Sequence, residues 1–179
     1  LERKFWRERE KELVDKLHIQ ATTDQLTGIF NRRVIFEALD DAMENSKKSQ
    51  DRQFATIMFD IDFFKQVNDN YGHSGGDAVL ISFAQLLQAE ISSPNIVGRI
   101  GGEEFLAILY LSPDEALEFC KKLIKKINTN VVSYEGTDIK ISSSGGVAFS
   151  TETETSADLT NKADERLYEA KKDGRNRFK

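Results

Sequence analysis

Two patterns of apolar and polar residues occur along this chain and predict where its helices and strands lie. Apolar residues every three to four positions are typical of amphipathic helices, and this spacing occurs in residues 31–45, 75–91, 114–128 and 156–173. Short continuous apolar runs are typical of strands, and they occupy residues 54–61, 96–100, 105–111, 131–134 and 139–149. This order predicts an α/β (α+β) fold, with helices packed against a mostly antiparallel sheet.

Two residues mark the ends of the last predicted helix. Ser156 has the side chain of an N-cap, because a serine hydroxyl can accept a hydrogen bond from a free N–H group of the first turn. Gly174 suits the C-terminal stop. We therefore expect this helix to fill the interval between them.

The first twenty residues carry a narrower apolar stripe than the rest of the chain. Trp6, Leu13 and Gln20 fall seven apart, Leu17 follows Leu13 by four, and charged residues fill most other positions. This spacing predicts a helix whose seam either ends a parallel coiled coil or packs on the chain's own domain. The pattern leaves both open, and it divides the chain into an N-terminal helix, 1–20, and a main domain, 21–179.

Two glycines join the strands predicted at 96–100 and 105–111. Gly101 and Gly102 tolerate the positive φ angles of a two-residue hairpin turn, which places the carboxylates of Glu103 and Glu104 at the hairpin tip. Such a tip can be a plain solvated turn. It can also bind a hard cation such as Mg²⁺, which prefers carboxylate oxygens and brings phosphate groups with it.

A second acidic pair ends the strand predicted at 54–61. Alternation along a strand places Asp60 and Asp62 on one face. An aspartate at a strand end can simply begin a turn. Two acidic clusters at the ends of strands in one small domain nevertheless favour a shared metal site.

Composition narrows the class of protein without identifying it. The 179 residues are 39% hydrophobic and 31% charged, an ordinary balance for one domain with an appendage. The net charge of −5 argues against a nucleic-acid partner, which requires a basic face. No apolar run approaches the ~20 residues of a membrane span, and no signal peptide is visible, so we expect a cytoplasmic location. The single Cys120 is expected to be a reduced, partly buried packing residue.

Short motifs follow one another in order along residues 21–179. They include Asp24-Gln25-Leu26-Thr27-Gly28, Phe59-Asp60-Ile61-Asp62-Phe63-Phe64-Lys65, Gly72-His73-Ser74-Gly75-Gly76-Asp77, Gly101-Gly102-Glu103-Glu104-Phe105 with Arg99 before it, and Ala170-Lys171-Lys172-Asp173-Gly174-Arg175-Asn176. In these motifs the chain resembles the GGDEF domain family, the diguanylate cyclases, in its GGEEF form.

The resemblance implies a fold and a reaction. The fold would be the palm-like arrangement of nucleotidyl cyclases, and the reaction would join two GTP molecules into cyclic di-GMP with release of pyrophosphate, aided by Mg²⁺ or Mn²⁺. Because the product has two identical linkages, the active form would be a homodimer, and helices like that at 1–20 commonly follow an upstream sensor domain. The alternatives are a GTP-binding regulatory module without turnover and a relaxed cyclase that also accepts ATP.

The resemblance also assigns roles to individual residues. Asp60, Glu103 and the backbone carbonyl of Ile61 would bind the metal ion, and Glu104 or Glu103 would accept the proton of the attacking hydroxyl. Asp62 would either support this site or serve as a hydrogen-bonding residue at the strand end.

The GTP itself would be bound by residues before and after this metal site. The triphosphate would be held by the backbone N–H groups of Phe63, Phe64 and Lys65 and by the side chains of Lys171 and Arg175. Guanine would be read by Asn68 and Asp77, because a carboxylate can accept from both donors on the guanine edge whereas adenine would leave it unpaired.

One departure from the family is expected to affect regulation. Many members carry an arginine and an aspartate a few residues before the signature, and this pair binds product and inhibits the enzyme. Ser92 and Asn95 stand at those positions here, and neither supplies a guanidinium or a carboxylate. The resemblance therefore implies that this inhibitory site is degenerate.

Overall fold

The computed structural model describes residues 2–179, and within them five α-helices and six strands follow one another along the chain. Residue Leu1 of the predicted N-terminal helix lies outside the described residues. The elements are α1 Glu2–Thr22, α2 Arg32–Ser46, β1 Ala55–Ile61, α3 Phe64–Glu90, β2 Ile96–Gly101, β3 Glu104–Leu109, α4 Pro113–Thr129, β4 Val131–Tyr134, β5 Thr137–Lys140, β6 Ser143–Phe149 and α5 Ser156–Lys172.

The main sheet has four strands in the order β2-β3-β1-β6, and every neighbouring pair is antiparallel. Strand β1 is buried along its whole length because helices cover both faces of the sheet. Ile57 and Phe59 belong to the core beneath α3 and α4, and Met58 belongs to the core beneath α2 and α5. The prediction of an antiparallel sheet flanked by helices is therefore confirmed.

Two predicted elements differ from the structure. Helix α3 begins at Phe64, well before the predicted Gly75, and it bends at Gly72, whose φ of 72° and ψ of 174° interrupt the helix. The run predicted as one strand at 139–149 is divided between β5, which pairs with β4 in a separate two-stranded sheet, and β6, which pairs with β1.

The capping residue of α5 is also corrected. Thr155 is the N-cap, and its hydroxyl accepts a hydrogen bond from the N–H group of Asp158. Ser156 is the first helical residue, and its hydroxyl donates to the carboxylate of Asp40 on α2. Helix α5 ends at Lys172, one residue before the prediction, and Gly174 follows with a φ of 108°.

Helix α1 presents its predicted seam to solvent. Trp6, Leu13 and Leu17 are each more than half exposed, so most of the surface of these seam residues faces solvent. Among the described residues, no helix is both long and apolar enough to cross a membrane. Cys120 is fully buried rather than partly buried, and burial raises the pKa of its thiol to about 12.

Candidate active site

The hairpin of β2 and β3 lies against the end of β1. Glu104 is the direct cross-strand partner of Asp60, and the N–H group of Ile61 donates to the carbonyl of Glu103 at 3.3 Å. Gly101 pairs with Glu104, so the two turn residues are Gly102 and Glu103 rather than the two glycines. Both glutamates are half-buried, and the two acidic clusters predicted from the sequence meet at one end of the sheet.

Asp60 is a buried carboxylate with a single ion-pair partner among the described residues. Nζ of Lys171, on α5, lies 2.8 Å from its Oδ2 atom. Burial raises the pKa of Asp60, the hydrogen bond and charge of Lys171 lower it, and the nearby charges of Glu103 and Glu104 raise it further. The carboxylates of Asp60, Glu103 and Glu104 therefore share one electrostatic environment.

Asp62 is also buried, but its oxygens are used within the protein. The hydroxyl groups of Ser142 and Ser144 each donate to it at 2.7 Å, and the N–H group of Asn176 donates at 3.0 Å. These bonds fix the segment after α5, where Arg175 and Asn176 have φ angles of 63° and 51°. The geometry thus favours the hydrogen-bonding interpretation of Asp62.

The start of α3 has donors available for an anion. Phe63 adopts a left-handed conformation, with a φ of 56°, and no side chain caps the helix. Within the described part of the chain, no protein group accepts from the N–H groups of Phe63, Phe64 or Lys65. The guanidinium of Arg175 lies 4.6 Å from the centre of the Phe63 ring. A helix N-terminus with free N–H groups and a nearby cation is suited to phosphate.

The bend in α3 brings Asn68 against Gly76, and Gly76 directly precedes Asp77, the second residue predicted to read guanine. Asn68 precedes the bend and is half-buried, whereas Asp77 follows it and is exposed. A Cβ atom at Gly76 would clash with the Oδ1 atom of Asn68 and lie 3.0 Å from its Cγ atom. The absence of a side chain at Gly76 therefore lets Asn68 lie beside the turn that carries Asp77.

Arg99 positions the hairpin tip, a role that the sequence did not assign to it. Its Nε atom donates to the carbonyl of Gly102 at 2.9 Å, and its Nη1 atom donates to Asp24 at 3.1 Å. Asp24 also accepts from the N–H and hydroxyl groups of Thr27. In the sequence, Arg99 stands out only as the residue before the glycine motif, and Asp24 only as the first residue of a separate motif.

Ser92 and Asn95, the positions expected to form a degenerate inhibitory site, shape a turn. The side-chain oxygen of Asn95 accepts from the backbone N–H group of Tyr110 at 2.8 Å. The backbone N–H group of Asn95 donates to the carbonyl of Ser92 at 3.0 Å. Both positions thus contribute to the connection between α3 and β2. Neither provides a charged group.

The predicted metal ligands are all oxygen atoms, which is the type of ligand that Mg²⁺ prefers. Within residues 2–179, no three His, Cys, Asp or Glu side chains lie close enough together to hold a metal ion. The predicted set is smaller, because it uses two carboxylates, Asp60 and Glu103, and the backbone carbonyl of Ile61. Hard oxygen ligands of this kind suit Mg²⁺, which is bound through one or two carboxylates together with substrate phosphates.

Residues 21–177 match the sequence model of the family described as diguanylate cyclase, GGDEF domain. Among curated proteins, the chain is 34% identical over 164 residues to diguanylate cyclase DgcS of Shewanella oneidensis, covering 92% of this chain and 54% of that protein. It is 32% identical over 160 residues to diguanylate cyclase A of Treponema denticola, covering 87% of this chain and 43% of the relative. The chain thus spans about half the length of these relatives or less.

Solved structures show the same architecture. Diguanylate cyclase SiaD of Pseudomonas aeruginosa, in complex with its activator SiaC, superposes with a TM-score of 0.86 at 32% identity, covering 98% of this chain and 68% of that chain. The coiled coil and GGDEF domain of DgcB from Caulobacter crescentus, in complex with c-di-GMP, gives a TM-score of 0.85 at 26% identity, covering 99% of this chain and 94% of that one.

Proposed function

The chain belongs to the GGDEF diguanylate cyclase family, and from this premise we propose that it condenses two GTP molecules into cyclic di-GMP with release of pyrophosphate. One observation carries the proposal. Asp60, Glu104 and the Glu103 turn meet at the end of β1, beside Lys171 and the uncapped start of α3. Acidic groups for a cation and donors for a triphosphate therefore adjoin one another.

The residues of the site have different roles in the proposed reaction. Asp60, Glu103 and the Ile61 carbonyl would hold Mg²⁺ or Mn²⁺, which stabilises charge on the attacking and leaving oxygens when bound. The N–H groups at the start of α3 bind the phosphates, with Lys171 and Arg175 neutralising their charge. Glu104 or Glu103 would accept the proton of the attacking 3′-hydroxyl.

The pair on either side of the bend in α3 selects the base. The carboxylate of Asp77 accepts from the two donors on the guanine edge, and Asn68 lies against Gly76, the residue before Asp77. Adenine offers an acceptor at the same place, so a desolvated Asp77 would stay unpaired at a cost of about 1–3 kcal/mol. GTP is therefore preferred over ATP.

A homodimer completes the reaction. One site holding one GTP supplies half of a symmetric product, so two protomers face each other about a two-fold axis. The exposed apolar residues of α1 supply a seam for parallel pairing of the two chains. An upstream sensor domain would act through this helix, and the reaction would take place in the cytoplasm, where GTP is available.

The second candidate function is a GTP-binding regulatory module that does not turn over. The argument against it is that the acidic and basic residues assigned to chemistry lie together at one end of the sheet. Incubation of the purified chain with GTP and Mg²⁺, followed by chromatographic separation of the nucleotides, decides between the two. Cyclic di-GMP should accumulate for the cyclase, and nucleotide binding without any product would support the regulatory module.

A charge-neutral variant tests the acidic site directly. Glu103→Gln should abolish product formation and preserve the fold, because the change removes the charge of a turn residue and leaves its size nearly unchanged. Glu154→Gln, at an exposed position outside the site, is the matched control and should retain full activity. Near-normal product formation by Glu103→Gln would remove Glu103 from the proposed metal ligands.

A further inference from the structure

The ion pair of Lys171 with Asp60 joins two residues that the proposed reaction assigns to different ligands. Lys171 is assigned to the triphosphate and Asp60 to the metal ion, yet their charged atoms lie 2.8 Å apart. The side chain of Asp60 is 9% exposed and that of Lys171 is 31% exposed. While this ion pair is formed, the carboxylate of Asp60 cannot offer both of its oxygens to a metal ion. Likewise, the ammonium group of Lys171 cannot offer all of its N–H donors to a phosphate.

The surroundings of Asp60 explain why it takes up a cation. It is buried, and the negative charges of Glu103 and Glu104 act on it from the neighbouring hairpin. A buried carboxylate without a partner is costly, and removal of its partner leaves an uncompensated charge. Lys171 thus supplies, within the protein, the positive charge that a bound metal ion would otherwise provide.

Arg175 provides an internal contrast. It is the other cation assigned to the triphosphate, but its guanidinium rests on the ring of Phe63 at 4.6 Å, and within residues 2–179 no carboxylate forms a salt bridge with it. Arg175 can therefore turn to a phosphate without releasing an acidic partner. Of these two cations, therefore, Lys171 alone contacts the acidic side of the site.

We propose that Lys171 is a resident counter-ion that competes with the metal ion for Asp60, so that metal and nucleotide bind cooperatively. The inference rests on the proposed function for the identity of the two ligands. A triphosphate that draws Lys171 away exposes Asp60 to a cation. By linkage, a cation on Asp60 releases Lys171 to the phosphates by the same factor. Lys171 is thereby a positioning residue for the acidic site as well as a phosphate ligand.

Removal of Lys171 should strengthen binding of a metal ion alone. Mn²⁺ binding to the full chain without nucleotide, followed by the electron paramagnetic resonance signal of the free ion, should become roughly tenfold tighter in Lys171→Met, within the ~5–150-fold range of coupled sites. Lys172→Met removes the adjacent exposed charge, and Arg175→Met removes the other phosphate cation. Both controls should change the Mn²⁺ affinity far less.

The reverse experiment removes the competition from the acidic side. In EDTA, a fluorescent GTP analogue should bind more tightly to Asp60→Asn than to Glu103→Gln. Each variant loses one negative charge near the phosphates, but only the first frees Lys171 from an ion pair. The difference between these two variants therefore measures the release of the lysine rather than the general loss of charge.

The outcomes separate the inference from the proposed reaction. Unchanged Mn²⁺ affinity in a folded Lys171→Met variant, or equal nucleotide affinity in the two acidic variants, would overturn the competition. Circular dichroism checks folding, and Lys171→Gln is the second variant if the methionine variant does not fold. Neither measurement requires turnover, so a failure to form cyclic di-GMP would count against the proposed function alone.

Discussion

Helix α5 packs so closely on β6 at Gly146 that an added methyl group must displace the helix. A Cβ atom at this position would lie 2.9 Å from the carbonyl carbon of Ala163 and closer still to the carbonyl oxygen of Ala163 and the amide nitrogen of Leu167. These are backbone atoms, which cannot rotate aside as a side chain could. Since carbon atoms pack at ~3.5–4.0 Å, Gly146→Ala must move the middle of α5 outward.

The size of the effect follows from the packing and from what α5 carries. Overpacking of a well-packed core costs about 1–3 kcal/mol, and in a domain of this size each kcal/mol lowers Tm by about 2–4 °C. We expect a Tm lower by about 4–8 °C for a cost near ~2 kcal/mol. Lys171 lies on the same helix, so activity should fall about 10²-fold if it moves by ~1 Å.

The assay compares thermal unfolding and cyclic di-GMP formation of Gly146→Ala with those of Gly136→Ala. Gly136 lies in the turn between β4 and β5 with a φ of 76°, and an added Cβ there meets no atom within 4 Å. Its cost is backbone strain alone, about 1–2 kcal/mol, and its activity should be normal. An unchanged Tm in Gly146→Ala would refute the packing argument. A lower Tm with undiminished activity would refute the link from α5 position to catalysis.

Three further predictions concern base choice, acid stability and assembly. Asp77→Ser should relax the preference for guanine, because a hydroxyl can donate or accept; full preference for GTP in competition with ATP would show that Asp77 does not read the base. Hydrogen bonds from Arg166 lower the pKa of Glu152 from its ordinary 4.5 to about 2. The stabilisation from this pair is therefore fully present above pH 4.5 and is lost as pH falls toward about 2. Glu152→Gln should flatten the decline in Tm between these pH values. An equally steep decline in the variant would contradict the prediction. Because the short seam of α1 buries little apolar surface, specific activity should rise steeply with protein concentration, and a leucine zipper fused in heptad register before residue 1 should raise it at low concentration. A fusion shifted by three or four residues should be less active at equal dimer content, and concentration-independent activity in a chain shown by sedimentation to be monomeric would contradict both the seam and the two-site mechanism.

Local physics made much of the fold predictable from the sequence. Apolar runs predicted β1, β2 and β3, and apolar residues three to four positions apart predicted α2, α4 and α5. Each of these patterns arises because an element buries one of its own faces. The two glycines likewise predicted a tight hairpin, although the turn itself lies one residue later, at Gly102 and Glu103. The sequence pattern does not predict residues 64–74 of α3, because polar residues dilute its apolar spacing before the bend at Gly72.

The tertiary structure decided what depends on partners distant in the chain. The run at 139–149 has one apolar pattern, but β4 recruits its first part and β1 its last, so it becomes two strands in two sheets. The ion pair of Asp60 with Lys171 and the hydrogen bond of Arg99 to Asp24 join residues far apart in sequence. Sequence spacing determines which face of an element is apolar, because that depends on local geometry. Which charges meet depends on how the elements pack, and only the folded chain contains that information.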